Sequence, residues 1–428
     1  MTNVQRFTRS EFVRHGFVVF VATSLINVFG YAYHFAISRK VGVEQYGVLS
    51  ALNSVLMIST VFSGIVATVV VKYAAEFRAT DDRAHLAALV RRLTIYGSIA
   101  AAIVVVLGAL ASGVIASYLK IASIPAVVLT TAIIGITIAT PALRAVFQGI
   151  EDFNAFAIST CLESLFKLLV GVGLVYAGYG VVGAFLGWAV GSVIAVVYTA
   201  VVLLRRFRRV PDAVLYIDMR RLVKTMAGIS AATVLLTSIA NVDVLIVKHF
   251  ADPTTAGLYG ALALSGKILF FLVGFVPTVV LPKATRQALA GESPVGVFVQ
   301  AVAVIAVMSG AGLVVYYFFP AFVITALAGA SFAPAAPYVF AYGFAMVLLA
   351  ALNVVVMYKI GIHRFDFVVP LAACAVGEIV GLSLHHRSLG DVIAILIAGN
   401  GIALAASAYR VNAPLRVRTG VTASDAAA

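Results

Sequence analysis

Apolar and polar positions along the 428-residue chain sort into long hydrocarbon-compatible runs separated by short polar connections. Twelve runs reach the roughly 20 residues that a helix needs to cross a bilayer: 16–38, 47–71, 93–118, 125–148, 155–178, 180–204, 225–249, 257–281, 297–319, 337–359, 367–386 and 391–409. Hydrocarbon offers no partner to an unpaired N–H or C=O, so only helices or closed barrels can span it, and these runs are too long and too uniformly apolar for barrel strands. The expected fold class is an all-α integral membrane protein with twelve transmembrane helices. No polar connection is long enough to fold as a domain. The two longest, 72–92 and 205–224, are expected to form short amphipathic helices on the membrane surface. ALAGASFAPAAPY at 326–338 is expected to be an outer-face connection, partly re-entrant.

The connection at 205–224 falls between the sixth and seventh runs and divides the chain into equal halves. YGVL at 46–49 returns as YGAL at 259–262, a shift of 213, and GIEDF at 149–153 returns as GIHRF at 361–365, a shift of 212. Two matches in one order, at nearly one shift and at the same places relative to the helices, point to a duplication. Six crossings is an even number, so both halves start on the same side and form parallel repeats about an axis along the membrane normal. The expected division is a six-helix lobe at 1–209, a linker at 210–221, and a six-helix lobe with a short tail at 222–428. Transporters of this design place the substrate route between the halves and alternate access by rocking one against the other.

Composition agrees with the pattern. With 62% hydrophobic and 11% charged residues and a mean hydropathy of +1.08, the chain cannot be a water-soluble globule, whose charged share is about 25%. Arg6, Arg9 and Arg14 precede a first run that is too long for a signal-peptide core and lacks a small-residue exit, so it is read as an uncleaved helix. The net charge of +13 reports topology. Of the 30 lysines and arginines, all but Arg39, Lys40, Lys120, Lys167, Lys248, Lys267 and Arg387 fall in the N-terminal arm, the even-numbered connections or the run ends that border them, and the tail. That bias predicts a multi-pass protein of the cell membrane with both termini cytoplasmic. It also predicts anionic membrane lipid, and not nucleic acid, as the partner of the surplus charge. Cys161 and Cys374 lie inside runs without metal-ligand spacing, and no P-loop, G-x-S-x-G or H-E-x-x-H motif occurs. No catalytic residue, resident metal or cofactor is therefore expected. The adjacent acids Glu151 and Asp152 are a feature shared with membrane glycosyltransferases, without the sizeable extracellular loop that such enzymes carry.

Ionisable groups inside the runs carry whatever chemistry there is, because a charge at mid-membrane costs about 2.5–3.5 kcal/mol and by default faces a bundle interior or a watery cavity. Glu163 and Lys167 stand four apart with the acid first, the favourable order for an ion pair; a gated pair and a static one both fit. Asp243 has no lysine four residues away, which makes it a candidate for binding a proton or Na+. Glu378, among glycines in AVGEIVGL, follows the same logic, and its neighbours also suit close packing. Lys267 lies about two turns into the eighth run, where snorkelling competes with a pocket-facing role. Arg144 follows Pro141, which removes a backbone hydrogen bond and permits a kink; an arginine there suits a phosphate or a snorkelling end position. His34, flanked by Tyr31 and Tyr33, is a secondary candidate.

ISRKVGVEQYGVLSAL after the first run, ALRAVFQGIEDFNAFA after the fourth, and NVDVLIVKHFADPTTAGLYGALALSGKILFF around the seventh and eighth together resemble the polysaccharide (oligosaccharide) flippase family. That family belongs to the multidrug, oligosaccharidyl-lipid and polysaccharide exporter superfamily. The resemblance covers essentially the whole chain. It implies export of a polyprenyl-pyrophosphate-linked oligosaccharide from the cytoplasmic to the outer leaflet for surface polysaccharide assembly, with assembly enzymes as possible partners. A pyrophosphate-sugar head cannot cross hydrocarbon unaided and needs a hydrated cationic cavity. Arg144, Lys167 and Lys267 are the intramembrane supply, and Arg39 and Lys248 stand at the outer side. Coupling to a gradient of H+ or Na+ would fall to Asp243, Glu163, Glu378 or His34. The competing readings are a cation-coupled multidrug exporter of the same superfamily, a peptidoglycan-precursor flippase, a membrane glycosyltransferase or polymerase, and a scaffold for biosynthetic enzymes.

Overall fold

The computed structural model describes residues 9–211, 213, 214, 219–290, 292–362 and 364–409. Arg6, residues 212 and 215–218 of the expected linker, and the tail from 410 lie outside the described residues. Helix α1 (Arg9–Ala79) takes in the first two predicted runs, and its helical path breaks at Gly42, where φ is 76° and ψ 175°. A side chain at that backbone conformation would clash with its own peptide, so glycine is what lets the chain turn from one run into the next. The helices α2 (Arg83–Tyr118), α3 (Ile124–Gly149) and α4 (Phe153–Leu174) follow. A π-helical turn, Val175–Tyr179, joins α4 to α5 (Gly180–Arg206). The remaining helices are α6 (Met219–Ile239), α7 (Val242–Phe250), α8 (Pro253–Leu272), α9 (Phe275–Leu289), α10 (Val295–Phe318), α11 (Pro320–Ala328), α12 (Val339–Gly361), α13 (Val368–Leu384) and α14 (Leu389–Ala408). No strand occurs among the described residues.

Among the described residues, nine helical segments are long and apolar enough to cross a membrane. Two of them, Val21–Ala79 and Phe153–Arg206, run to 59 and 54 residues. At 1.5 Å per residue either exceeds twice the hydrocarbon thickness. Val368–Leu384 is a shorter apolar helix. The protein is thus a multi-pass helical membrane protein.

The surface helix expected at 72–92 does not form as a separate element. Residues 72–79 continue α1, and α2 starts at Arg83, where Asp82 accepts a hydrogen bond from the His85 N–H. The apolar stripe Leu86–Val90 is buried against Ala142, Val146 and Phe147 of α3, so its hydrophobic face meets protein and not lipid headgroups. At the other connection, α5 ends at Arg206, and residues 213 and 214 are not helical. The stretch 326–338 closes α11, turns at Gly329 with φ 110°, and forms a 3-10 helix, Ala330–Tyr338, whose Phe332 and Ala335 are fully buried.

The chain divides into two compact units. One comprises Met1–Ser230, Asn241–Ala261 and Ile324–Pro334; the other comprises Ala231–Ala240, Leu262–Val323 and Ala335–Ala428. The first holds α1 to α5 with α7, around a core of Val70, Ala74, Leu143, Val146, Phe147 and Leu203. The second is arranged around α12, whose Ala350, Val354 and Tyr358 pack with Val276, Val280 and Ala284 of α9. Close backbone approach is provided by small residues, as expected where lipid gives helices no hydrophobic reason to associate. A Cβ added at Gly187 of α5 would lie 2.1 Å from the Gly171 N of α4.

Basic side chains close several helix ends. Arg78 donates to the Ile150 carbonyl at the end of α3, and Arg91 donates to the Phe207 and Val210 carbonyls beyond α5, at 3.4 and 2.8 Å. Lys359, only 1% exposed, donates to the Tyr409 carbonyl beyond α14 at 2.9 Å. Arg39 reaches the last turn of α11, at 3.2, 2.9 and 3.4 Å from the carbonyls of Thr325, Ala326 and Leu327. The final carbonyls of a helix have no partner within it and carry partial negative charge, so a cation there serves both needs.

Candidate functional site

The repeated Tyr-Gly pairs meet in space. A Cβ on Gly47 would stand 2.8 Å from the Gly257 N, one on Gly257 would stand 2.0 Å from the Val43 carbonyl oxygen, and one on Gly260 would meet Ser50 at 2.8 Å. The segment of α1 beyond Gly42 therefore crosses α8 with backbones nearly touching. Flanking this crossing, Tyr46 and Tyr259 are both buried, and each hydroxyl finds an ionisable residue of the preceding helical segment. Tyr259 donates to the Asp243 carboxylate at 2.6 Å, and the Tyr46 hydroxyl is hydrogen-bonded to His34 Nδ1 at 3.2 Å. Asp243 is fully buried at the start of α7. It is not the isolated acid that the sequence suggested, because a phenol one helix away serves it. On the connection from α7 to α8, hydrogen bonds from the Thr255 hydroxyl and from the Thr254 and Thr255 N–H groups hold the Asp252 carboxyl below its usual range.

These two hydroxyls differ in what they support. Tyr259→Phe keeps the ring and removes a donor to a buried carboxylate, a hydrogen bond worth about 1.5–3 kcal/mol when the acceptor is charged. Tyr46→Phe removes one to an imidazole, worth about 0.5–1.5 kcal/mol. Thermal denaturation of the purified variants should rank Tyr259→Phe as the more damaging; equal midpoints would show that Asp243 is neutral in the resting protein.

A second polar cluster joins α3, α4 and α5. Arg144 Nη2 donates to Glu163 Oε2 at 2.6 Å and to the Ser159 carbonyl at 3.1 Å, and its Nε donates to Ser159 Oγ at 2.8 Å. Ser159 in turn bonds Thr199 at 2.7 Å, and Ser192 donates to the other Glu163 oxygen at 3.0 Å. The side chains of Arg144 and Glu163 are 12% and 17% exposed. Helix α3 runs through Pro141 without interruption. The expected Glu163–Lys167 pair is not made. The arginine fork, supported by two serines, takes the carboxylate that the i,i+4 spacing offered to the lysine.

Lys167 finds aromatic partners instead. Its ammonium stands 3.4 Å from the ring centroid of Trp188 and 4.6 Å from that of Tyr33. Tyr33 is fixed by donating to the Ala184 carbonyl at 3.0 Å, and Trp188 lies parallel to Phe185 with centroids 6.4 Å apart. Among the described residues no carboxylate forms a close ion pair with Lys167; Glu163, one turn earlier on α4 and paired with Arg144, attracts it at longer range. A desolvated cation–π contact contributes about 2 kcal/mol, against roughly 2.5–3.5 kcal/mol for a lysine at mid-membrane. The rings offset most of the cost of burying the charge and supply no counter-charge.

The remaining candidates are dispersed. Arg39 is spent on α11 and on the Phe35 ring 3.6 Å away, while Lys248 is buried at the end of α7 and feels the charges of Lys120 and Glu44. His249 next to it stacks on Tyr118 at 4.2 Å. In the second unit, Lys267 is half-buried on α8, and Glu378 is buried on α13 with a Cβ at Gly399 reaching 3.2 Å from its Oε2. Sequence reasoning missed Tyr46, Tyr259, Trp188 and the serines around Arg144. The two tyrosines carried a signal, the repeat itself; the single tryptophan and the serines carried none.

Set beside solved structures, the chain shows the fold of a transporter superfamily. An inward-facing multidrug resistance MATE family transporter of the MOP superfamily superimposes at a TM-score of 0.76 with 12% identity, covering 92% of this chain and 96% of that one. Lipid II flippase MurJ in an inward closed conformation gives 0.68 with 13% identity, over 94% of this chain and 87% of that one. A MOP superfamily transporter from Pyrococcus furiosus Vc1 gives 0.56 with 13% identity, over 94% and 95%. At such identities the likeness is one of fold. No curated protein matches the sequence. The family described as "Polysaccharide biosynthesis protein" matches residues 12–286, well over half of the chain. The resemblance first seen in the Tyr-Gly and Gly-Ile motifs is thereby borne out, and the chain belongs to the polysaccharide biosynthesis protein family.

Proposed function

We propose that the protein is a flippase that carries a polyprenyl-pyrophosphate-linked oligosaccharide from the cytoplasmic to the outer leaflet of the cell membrane during surface polysaccharide assembly. One observation carries this reading: a family of polysaccharide biosynthesis coincides, in one chain, with a fold shared by membrane transporters and a lipid II flippase. A polysaccharide pathway built on lipid carriers needs its sugar moved as well as made, and a transporter fold suits the first task. Counting the 59- and 54-residue segments as two crossings each and adding Val368–Leu384 makes twelve, the number that two six-helix lobes would need. With an even number of crossings and cation-rich connections, both termini face the cytoplasm. The lipid tail stays in the bilayer while the lobes, 1–209 and 222–428, rock to expose the sugar head to either side.

In this mechanism the pairs Asp243–Tyr259 and His34–Tyr46 are the coupling groups, one acid and one base, each held by the tyrosine of a repeated Tyr-Gly. Glu163 and Glu378 are held in reserve as structural acids. The test is reconstitution into proteoliposomes with a fluorescent lipid-linked oligosaccharide, following its accessibility to an external quencher with and without a pH or Na+ gradient. Gradient-stimulated flipping is expected, and Asp243→Asn should abolish the stimulation while leaving slow, gradient-independent flipping. Translocation no faster than in empty liposomes would end the flippase reading. The exporter reading makes the opposite prediction in the same vesicles, namely gradient-driven movement of a cationic dye with no movement of the lipid-linked sugar.

A further inference from the structure

We propose that Lys167, held between Trp188 and Tyr33, is the group that receives the phosphate of a lipid-borne anionic substrate, and that the two rings are positioning residues that hold its ammonium until the anion arrives. The inference rests on the flippase reading and names, within it, the side chain that meets the charged part of the cargo. Three observations carry it. The carboxylate that local spacing assigns to Lys167 is taken by Arg144 at 2.6 Å and by Ser192 at 3.0 Å. The closest partners of the ammonium are therefore ring faces, at 3.4 and 4.6 Å, with Glu163 acting on it only at longer range. Those rings are themselves immobilised, Tyr33 by the Ala184 carbonyl and Trp188 against Phe185, so they define one place for the charge.

The chemistry of this arrangement is that of a receiver. A cation satisfied by a carboxylate must give up that partner before it binds a phosphate, whereas a cation resting on ring faces loses little by swinging away. Arg144 is in the first state and Lys167 is in the second. The charges around it are Glu163 on the same helix, committed to α3 and α5, and the guanidinium of Arg144. One carboxylate, already paired with Arg144, faces two cations, so a phosphate or pyrophosphate ester would supply the further negative charge, and a point-like ammonium binds either without demanding a planar fork. Because the rings, and not an acid, hold the ammonium at rest, the site discriminates against neutral lipids by offering them nothing polar to replace.

Trp188 is the single tryptophan of the chain, so its emission reports on this contact alone. In phosphatidylcholine nanodiscs, farnesyl pyrophosphate should change the emission saturably as the ammonium leaves the indole, and farnesol should not. Lys167→Gln should abolish the response and Lys167→Arg should retain it, each checked for an unaltered size-exclusion profile. In the transport assay, Trp188→Phe should raise KM several-fold at unchanged kcat, and Trp188→Leu should raise it further. Any one of four results would overturn the proposal: a response to farnesol, an equal response to inorganic pyrophosphate alone, saturation by phosphatidylglycerol in place of the ligand, or a response surviving in Lys167→Gln. Wild-type protein that flips the labelled oligosaccharide yet shows no emission change would overturn it while leaving the flippase reading intact; absence of flipping would fall on that reading instead.

Discussion

Replacing Gly187 with alanine lowers the thermal midpoint of the purified protein by several degrees, while the same change at Gly173 holds or slightly raises it. The new methyl at Gly187 would stand 2.1 Å from the Gly171 N and 2.2 Å from its Cα, both backbone atoms of α4 that no rotamer change can move. At Gly173, on the same helix α4, nothing lies within 4 Å. The two substitutions share their effect on helix propensity, which favours alanine by about 1 kcal/mol, so the difference isolates the crossing of α4 and α5. Overpacking costs about 1–3 kcal/mol where side chains can yield, and here α4 and α5 must separate. The same change disturbs the contact between Lys167 on α4 and Trp188 on α5, which spans that crossing. Thermostability by fluorescence-detected size exclusion checks the claim, and indistinguishable midpoints for the two variants would refute it.

Arg144→Met destabilises the protein by about 3–5 kcal/mol, because it strands the Glu163 carboxylate in a nearly dry site. The double variant Arg144→Met with Glu163→Leu recovers most of that loss, since two apolar side chains of similar size replace the pair together and leave no uncompensated charge. Glu163→Leu alone falls between, with a guanidinium that still bonds Ser159 through Nε and Nη2. The measurement is a double-mutant cycle on thermal midpoints. Simple addition of the two single effects would mean that the 2.6 Å contact has no energetic consequence, and would remove the reason for regarding Arg144 as spoken for.

What the sequence disclosed and what it withheld follow from the range of the interactions concerned. That the chain is helical and crosses the membrane many times was legible because a bilayer imposes length and apolarity on each segment separately, with no need to know its neighbours. The merging of the first two runs into α1 was not, since it turns on the dihedral angles of one residue, Gly42. Leu86–Val90 looked like the apolar face of a surface helix; nothing local says that Phe147 will cover it. At the site, the i,i+4 rule paired Glu163 with Lys167 correctly as neighbours and wrongly as partners. A serine at 159 and an arginine nineteen residues before Glu163 decide the matter, and that is tertiary information. The Tyr-Gly repeat was visible as a trace of ancestry, but that each tyrosine serves the ionisable group of the segment before it emerges only when the helices fold back.

The basic caps on helix ends bear on how such a chain reaches the membrane at all. Arg78, Arg91 and Lys359 close the ends of α3, α5 and α14 in the folded protein. In the proposed orientation all three are on the cytoplasmic side. In that orientation the same charges would hold their connections on that side during insertion, before any helix has a neighbour to cap. One set of side chains therefore acts twice in the life of the chain, first as an address read segment by segment and later as a fastening between segments. A substitution that spares the finished contact but removes the charge, such as glutamine for Arg91, would leave the fastening partly intact and weaken the address that Lys72, Arg78, Arg83 and Arg92 still carry. Its cost would appear in the yield of correctly inserted protein and not in the stability of the molecules that succeed.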